Sequence, residues 1–277
     1  MIPLDGADAN TSTATCHEPT MALRPLQYPL NAVQSGVLIS VAIPAYNEEK
    51  LLPQTLRAIR KAGCVFTDRG WKLEMVVCDN NSTDQTAEIA REFGARVVHE
   101  RHNQISRARN AAGQAAQGKW IVFVDADSQP SQALFEATAE AMDNDSVIGG
   151  GCTIHMSGIP IWARFWLGTW NLSSRIMRWP AGSYIFCRAA AFRDVDGFST
   201  EFYAGEELDF GERLKKLARK KDQHLHIISR TSLTTSPRKL DLYSPLDFAR
   251  ICLSTVFTGG RTLRQASTCG WWYDGRR

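Results

Sequence analysis

The sequence has no long apolar run and little excess charge of either sign. No stretch of about 18 apolar residues occurs along the 277-residue chain, so no segment has the pattern of a membrane-spanning helix. The formal net charge of +3 is low for a protein that binds nucleic acid through bulk electrostatics. Apolar residues make up 44% of the chain, which is too many for a disordered protein. We therefore expect a folded protein with an ample core and no nucleic-acid partner.

The cysteines and the N-terminus exclude further classes. Seven cysteines are scattered along the chain, and none forms a Cys-x-x-Cys pair, which argues against a disulfide framework and against a zinc ribbon. The first residues lack the basic segment and following apolar segment of a secretory signal. Together, these absences predict a reduced, cytoplasmic protein.

The pattern of apolar and polar residues changes twice along the chain. Residues 1–35 lack periodicity and predict a disordered tail. Residues 36–240 alternate short apolar runs with helical patterns and predict one domain, which falls into halves at 36–130 and 131–240. Residues 241–277 predict an amphipathic extension.

Strands and helices alternate through the first half. The strand candidates are Val37–Ile43, Leu73–Cys78, Ala95–Val98 and Trp120–Val124, the first of them ended by Pro44. Ser82 and Gln85 have the spacing of a capping box that begins a helix, and another helix is expected over Gln104–Gln117. Buried strands that alternate with helices predict a mostly parallel, Rossmann-like sheet flanked by helices.

Acidic and amide side chains follow these strands directly. Because ligands of such sheets bind at the carboxyl ends of the strands, this edge is the expected site. Asp125 and Asp127 follow the fourth strand, and residues two apart in extended chain point to the same side, so both carboxylates could bind one Mg²⁺ or Mn²⁺. A turn stabilised by aspartate hydrogen bonds is the alternative. Asp79 closes the second strand and could accept hydrogen bonds from a base or a ribose, because Ser82 already supplies the helix cap.

Four segments in order carry a family resemblance. They are Ile43-Pro44-Ala45-Tyr46-Asn47-Glu48-Glu49, Asp79-Asn80-Asn81-Ser82-Thr83-Asp84, Arg107-Ala108-Arg109-Asn110-Ala111-Ala112-Gly113 and Phe123-Val124-Asp125-Ala126-Asp127. They resemble the ordered motifs of family 2 glycosyltransferases, which are inverting enzymes with the GT-A fold. The resemblance runs from about Val37 to about Leu217, or roughly two-thirds of the chain.

The resemblance implies roles for these residues in residues 36–130, the half that would bind a nucleotide sugar. The pocket-lining residues would be Pro44, Tyr46, Glu48, Asp79, Arg109, Asp125 and Ala126. Asp79 would contact the base, and Arg109 would lie close to the nucleotide. Asp125 and Asp127 would hold a Mg²⁺ or Mn²⁺ ion that bridges the diphosphate and neutralises the charge of the departing group.

Residues 131–240 would supply the acceptor side and the catalytic base. The family has an acidic pair, usually Glu-Asp, after a glycine-containing segment and a Gly-Phe turn; here the pair is Glu206-Glu207, which begins a helix predicted to reach Lys221. Glu207 aligns with the usual aspartate and is the first choice for the base that deprotonates the acceptor, with Glu206 as the alternative. Acidic residues that simply favour a helix N-terminus are the other interpretation.

The sequence departs from the family near its C-terminus. Some members have a further metal-ligating histidine there, and residues 234–239 contain none. Arg238 and Lys239 could instead contact the leaving diphosphate, and a solvated basic loop is an equal alternative.

A tryptophan-rich segment on the acceptor side has two interpretations. Residues 162–179 hold four of the eight tryptophans at helical spacing, together with three arginines. One interpretation is packing in the core; the other is an acceptor platform or a helix at a membrane interface. With the amphipathic stretch of residues 246–256, the second interpretation predicts peripheral contact with the inner face of a membrane and a lipid-linked or cell-envelope glycan acceptor.

Two other functions compete with sugar transfer from a nucleotide-sugar donor to an acceptor hydroxyl with inversion. A sugar-nucleotide pyrophosphorylase should carry a glycine-rich, basic phosphate loop after its first strand, and Ala45–Glu48 is not such a loop. A non-catalytic module that binds sugar nucleotides or glycans would not need the acidic residues Asp125, Asp127, Glu206 and Glu207.

Overall fold

The computed structural model describes residues 36–237 together with Arg264. The predicted tail over residues 1–35, and the predicted extension over residues 241–277 apart from Arg264, lie outside the described residues, as do Arg238 and Lys239.

Eight strands and eight helices form the described part of the chain. The strands are β1 Leu38–Ala45, β2 Lys72–Asp79, β3 Arg96–His99, β4 Trp120–Val124, β5 Ser128–Gln129, β6 Val147–His155, β7 Tyr184–Arg188 and β8 His224–Thr235. The helices are α1 Leu52–Ala62, α2 Cys64–Asp68, α3 Thr86–Glu92, α4 Ile105–Ala115, α5 Gln132–Asp143, α6 Ile161–Met177, α7 Ala189–Asp194 and α8 Glu206–Lys220. One sheet contains all the strands, in the order β3-β2-β1-β4-β7-β6-β8-β5.

The first half of the sheet is parallel and brings three strand ends together. β1 pairs in parallel with both β2 and β4, and β2 pairs in parallel with β3. The register places Ala45, the last residue of β1, beside Asp79, the last residue of β2. Every residue of β4 is buried, because helices cover both faces of the sheet. The polar residues after these strands therefore lie along one edge.

The second half joins this edge through an antiparallel strand and an aromatic cluster. β7 lies between β4 and β6 and is antiparallel to both, so the sheet is mixed. Phe198 stacks on Phe210 of α8 with ring centroids 4.2 Å apart, and it meets Phe123 of β4 edge-on at 5.1 Å. This packing fixes the start of α8 behind the end of β4.

The predicted strands are confirmed, with different ends. β4 has the predicted bounds, whereas β1 continues through Pro44 to Ala45, so the prediction that Pro44 ends the strand is wrong. The pairing with β2 extends through the proline, and the backbone N–H of Asn80 donates to the carbonyl of Ala45 at 2.8 Å. The edge of the sheet thus lies two residues further along β1.

The predicted capping box at Ser82 and Gln85 is wrong. Helix α3 begins at Thr86, and the backbone N–H of Thr86 donates to the carboxylate of Asp84. The Ser82 hydroxyl instead accepts a hydrogen bond from the backbone N–H of Asn47 at 3.0 Å. Ser82 therefore joins the loop after β2 to the loop after β1, and the argument that its capping role leaves Asp79 free does not hold.

The tryptophan-rich helix is not a core helix. Of the residues of α6, only Ala163 and Ser174 are buried, and Ile161, Phe165 and Ile176 are 84%, 69% and 70% exposed. Packing in the core is therefore the wrong interpretation of this helix. Among the described residues, no helix combines the length and the apolar character needed to cross a membrane.

Candidate active site

An open cleft lies at the carboxyl ends of β1 and β4. It is lined by Pro44, Ala45, Tyr46, Glu48, Asn80, Ile105, Ala108, Asp125, Ala126 and Asp127. Six residues from the predicted pocket and metal site are among them. Asp79 and Arg109 are buried next to this lining rather than part of it.

The loop after β1 is tied to the loop after β2 by several hydrogen bonds. Asn47 adopts a left-handed backbone conformation with φ of 52°, and its side-chain oxygen accepts from the backbone N–H of Thr83 at 2.8 Å. The backbone N–H of Glu48 donates to the Thr86 hydroxyl at 2.8 Å. These contacts bury Glu48, which is 6% exposed, and hold the entrance of the cleft in one conformation.

Asp79 makes two contacts that the sequence did not predict. Its Oδ1 accepts a hydrogen bond from the backbone N–H of Ser82 at 3.1 Å, and its Oδ2 lies 3.0 Å from Nδ1 of His99. His99 is the residue opposite Asp79 in the β2–β3 register. The position of His99 at the end of a neighbouring strand was the signal that could have identified this pair.

The loop after β4 is held in place by hydrogen bonds to α1 and β8. The Thr55 hydroxyl of α1 donates to the carbonyl of Ala126 at 2.7 Å, which holds the middle residue of the Asp-x-Asp segment. Ser128, next to Asp127, donates to the Thr235 hydroxyl of β8 at 3.0 Å. Asp125 and Asp127 both face the cleft. Thr55 lies on a helix 71 residues before Ala126, and no local motif indicated this role.

Arg109 connects two parts of the predicted site. Its guanidinium donates to Oδ1 of Asp125 at 3.0 Å, to Oε1 of Glu206 at 2.5 Å and to the carbonyl of Gly182 at 2.8 Å. The residue is 2% exposed, and its guanidinium also lies 5.4 Å from the centre of the Phe198 ring. Burial alone would lower the pKa of Arg109, but Asp125, Glu206 and Glu207 raise it, so the guanidinium stays charged.

The two adjacent glutamates occupy different environments. Glu206 is 4% exposed and points to Arg109, whereas Glu207 is half-buried beside Gly182. A Cβ atom at Gly182 would lie 3.5 Å from the side chain of Glu207, an ordinary van der Waals distance, so the two residues are direct neighbours. Burial and the neighbouring Glu207 raise the pKa of Glu206, and Arg109 opposes that shift.

The raised pKa of Glu206 predicts how stability depends on pH. The native state holds this proton more tightly than the unfolded state, whose ordinary pKa is 4.5, so the stability contributed by Glu206 is complete below that pH and is lost as pH rises. We expect the melting temperature of Glu206→Gln, relative to wild type, to rise between about pH 5 and pH 8, as measured by calorimetry. The exposed Glu92→Gln variant is the control. If the difference in melting temperature between Glu206→Gln and wild type did not change with pH, the raised pKa of Glu206 would be contradicted.

Two carboxylates of the cleft have the chemistry of metal ligands. Asp125 and Asp127 offer the carboxylate oxygens that Mg²⁺ and Mn²⁺ prefer. Among residues 36–237 and Arg264, no group of three or more His, Cys, Asp or Glu side chains could hold a metal ion. This donor set fits an ion that takes its other ligands from water and from the phosphates of a substrate.

Comparison with known proteins decides the family. The model of glycosyl transferase family 2 matches residues 40–198, which is more than half of the chain. The chain belongs to glycosyl transferase family 2. The resemblance of its four ordered segments is thereby confirmed. Membership of a family of glycosyl transferases also indicates an enzyme rather than a non-catalytic protein.

One curated relative matches part of this chain. Glycosyltransferase EpsJ of Bacillus subtilis is 28% identical over 120 residues, which cover 42% of this chain and 33% of EpsJ. The chain thus matches about a third of that relative's length.

Two solved structures share the fold. Glucosyl-3-phosphoglycerate synthase from Mycobacterium tuberculosis, in complex with Mn²⁺, UDP-glucose and phosphoglyceric acid, has a TM-score of 0.58 at 17% identity and covers 89% of this chain and 86% of its own. The TarS 1–349 structure from S. aureus in complex with UDP has a TM-score of 0.56 at 22% identity and covers 77% and 62%. The predicted GT-A-like α/β fold is therefore confirmed.

Proposed function

We propose that this protein transfers a sugar from a nucleoside-diphosphate donor to an acceptor hydroxyl, with inversion at the anomeric carbon. The observation that carries the proposal is the meeting, at the buried Arg109 beside the cleft, of the acidic residue after β4 and the acidic start of α8. Family membership supports sugar transfer. The bound UDP and UDP-glucose of the two structural neighbours support a nucleotide-sugar donor.

The nucleotide is proposed to lie along the loops after β1 and β2. Pro44, Tyr46 and Glu48 would line its pocket, and Asp79 would accept a hydrogen bond from the base. The contacts of Asp79 with Ser82 and His99 support this role, because they fix the direction of its carboxylate before the donor binds.

A Mg²⁺ or Mn²⁺ ion is proposed to bind Asp125 and Asp127. The bound ion would neutralise negative charge on the diphosphate of the donor. The Mn²⁺ in the glucosyl-3-phosphoglycerate synthase complex supports this choice of metal. Arg109 binds the same Asp125 carboxylate on its Oδ1, so it would hold that ligand in place without needing to contact the nucleotide. This differs from the role that the family resemblance implied for Arg109.

Glu207 is proposed to be the base. Its carboxylate would take the proton of the acceptor hydroxyl while the hydroxyl oxygen bonds to the anomeric carbon. The bond between that carbon and the diphosphate oxygen breaks, and the nucleoside diphosphate leaves with the electron pair. The hydrogen bond that Glu206 accepts from Arg109 supports a positioning role for Glu206, since it commits that side chain to the interior.

The acceptor and the cellular location are also proposals. The exposed apolar residues of α6 support an amphiphilic acceptor, such as a lipid-linked sugar or a cell-envelope glycan, met by a cytoplasmic protein at the inner face of a membrane. Arg238 and Lys239 would contact the leaving diphosphate, and they lie outside the described residues.

A donor panel tests the proposed function directly. Ligands that bind only the native state raise its apparent stability, and a donor at 100 times its dissociation constant should raise the melting temperature by roughly 5–10 °C. We expect one of the UDP-, GDP- and dTDP-sugars to give this shift with Mn²⁺ and a smaller one without it. The nucleoside monophosphates are the control. A flat response to every donor in the presence of Mn²⁺ would contradict the proposal.

A further inference from the structure

Helix α6 presents an apolar face that no part of the described chain covers. With about 100° of rotation per residue, four residues fall within an arc of about 60° on this helix. They are Ile161, Phe165, Leu172 and Ile176, which are 84%, 69%, 55% and 70% exposed. The two buried residues, Ala163 and Ser174, lie on the opposite side. The helix is therefore amphipathic, but its apolar stripe faces the solvent, whereas the apolar stripe of a core helix faces the interior.

Arginines border this stripe, and acidic residues are missing from the whole segment. Arg164 and Arg175 are exposed and lie on one flank of the stripe, and Arg178 is exposed directly after the helix. No Asp or Glu occurs in the 48 residues from 146 to 193. Glu212 of α8 lies near the end of α6. Its Oε1 accepts hydrogen bonds from Trp179 Nε1 and from Lys215 Nζ, each at 2.7 Å. The surface thus combines exposed apolar side chains with arginines that form no ion pair with a carboxylate of residues 36–237.

We propose that α6 lies in the headgroup region of an anionic lipid membrane and docks the protein there. An apolar stripe bordered by arginines fits such a surface, because the side chains enter the acyl boundary while the guanidinium groups meet lipid phosphates. A second copy of the chain fits less well, since pairing two copies through this face would bring arginines together with no acidic residue from the segment between them.

The docked helix leads directly to the proposed acceptor side. Only four residues separate the end of α6 at Met177 from Gly182, whose carbonyl accepts from Arg109 and whose Cα adjoins Glu207. A membrane at α6 would therefore present lipid-linked hydroxyl groups beside the proposed base. This part of the inference rests on the proposed function, whereas docking itself does not.

Vesicle binding by the full-length protein tests the docking. We expect it to co-sediment with phosphatidylcholine vesicles that contain phosphatidylglycerol, and much less with pure phosphatidylcholine. Arg164→Gln with Arg175→Gln should weaken binding to the anionic vesicles about thirtyfold. Phe165→Gln with Ile176→Gln should weaken it roughly tenfold or more. The control, Lys61→Gln with Lys119→Gln, removes the same charge from exposed positions outside α6 and should change it less than threefold.

The outcomes separate this inference from the proposed function, because vesicle binding needs neither donor nor metal. Both α6 variants should unfold cooperatively near the melting temperature of wild type in the absence of any ligand, which shows that they fold. Absence of vesicle binding by wild type would overturn the docking, and so would equal binding by wild type and both α6 variants, which would place the contact elsewhere in the chain. A wild-type dimer that Phe165→Gln with Ile176→Gln dissociates in sedimentation, without vesicle binding, would also overturn it in favour of a second copy.

Discussion

Replacing Glu207 with glutamine should lower the rate of sugar transfer by about 10³-fold, within the range that general bases contribute. The change removes the group that accepts the proton and keeps the size of the side chain. Donor affinity should stay within about twofold, because the proposed pocket is formed by the loops after β1, β2 and β4. Turnover measured with the best donor of the panel, together with its thermal shift, checks both parts.

The neighbouring glutamate provides the sharpest comparison. Glu206→Gln should keep measurable transfer, since the glutamine oxygen can still accept from Arg109, and its main effect should be on stability and its pH dependence. Glu92→Gln is a control on an exposed glutamate and should match wild type. If Glu206→Gln were inactive and Glu207→Gln active, the base would be Glu206, and its buried hydrogen bond with Arg109 would be part of the chemistry.

The parts of this fold that could be predicted are those in which local pattern and burial agree. Strand β4 was predicted to the residue because five consecutive apolar residues are buried on both faces and an aspartate follows them. The edge that carries Asp79, Asp125 and Asp127 followed from the rule that parallel strands end on the same side. Neither inference required knowledge of contacts between distant residues.

The parts that could not be predicted depend on partners far away in the sequence. Arg109 binds Glu206 across 97 residues, and no spacing of residues indicates that a helical arginine will be buried between two carboxylates. Ser82 has the spacing of a helix cap, yet it bonds to Asn47, 35 residues earlier, because the two loops pack together. For α6, periodicity identified an aromatic helix but could not tell whether its apolar face meets the core or the solvent.

The second large effect is expected for Asp127. Asp127→Asn should lower turnover by about 10³-fold or more, since a metal ion that stabilises the leaving diphosphate contributes several kcal/mol and each 1.36 kcal/mol is tenfold in rate. The metal-dependent part of the donor's thermal shift should disappear, and the part observed without Mn²⁺ should remain. Asp127 is a cleaner test than Asp125, because changing Asp125 would also remove a partner of the buried Arg109 and so alter folding and metal binding together.

The measurements on Asp127→Asn distinguish a lost metal ligand from a damaged fold. Its melting temperature without ligands should stay close to that of wild type, since the residue lies half-buried in a loop at the rim of the cleft. Asp145→Asn, at a fully exposed aspartate, makes the same chemical change away from the cleft and should leave turnover unaltered. Full activity of Asp127→Asn with a normal response to Mn²⁺ would remove Asp127 from the metal site. The diphosphate would then have to be neutralised by cationic side chains, for which Arg238 and Lys239 are the next residues to replace.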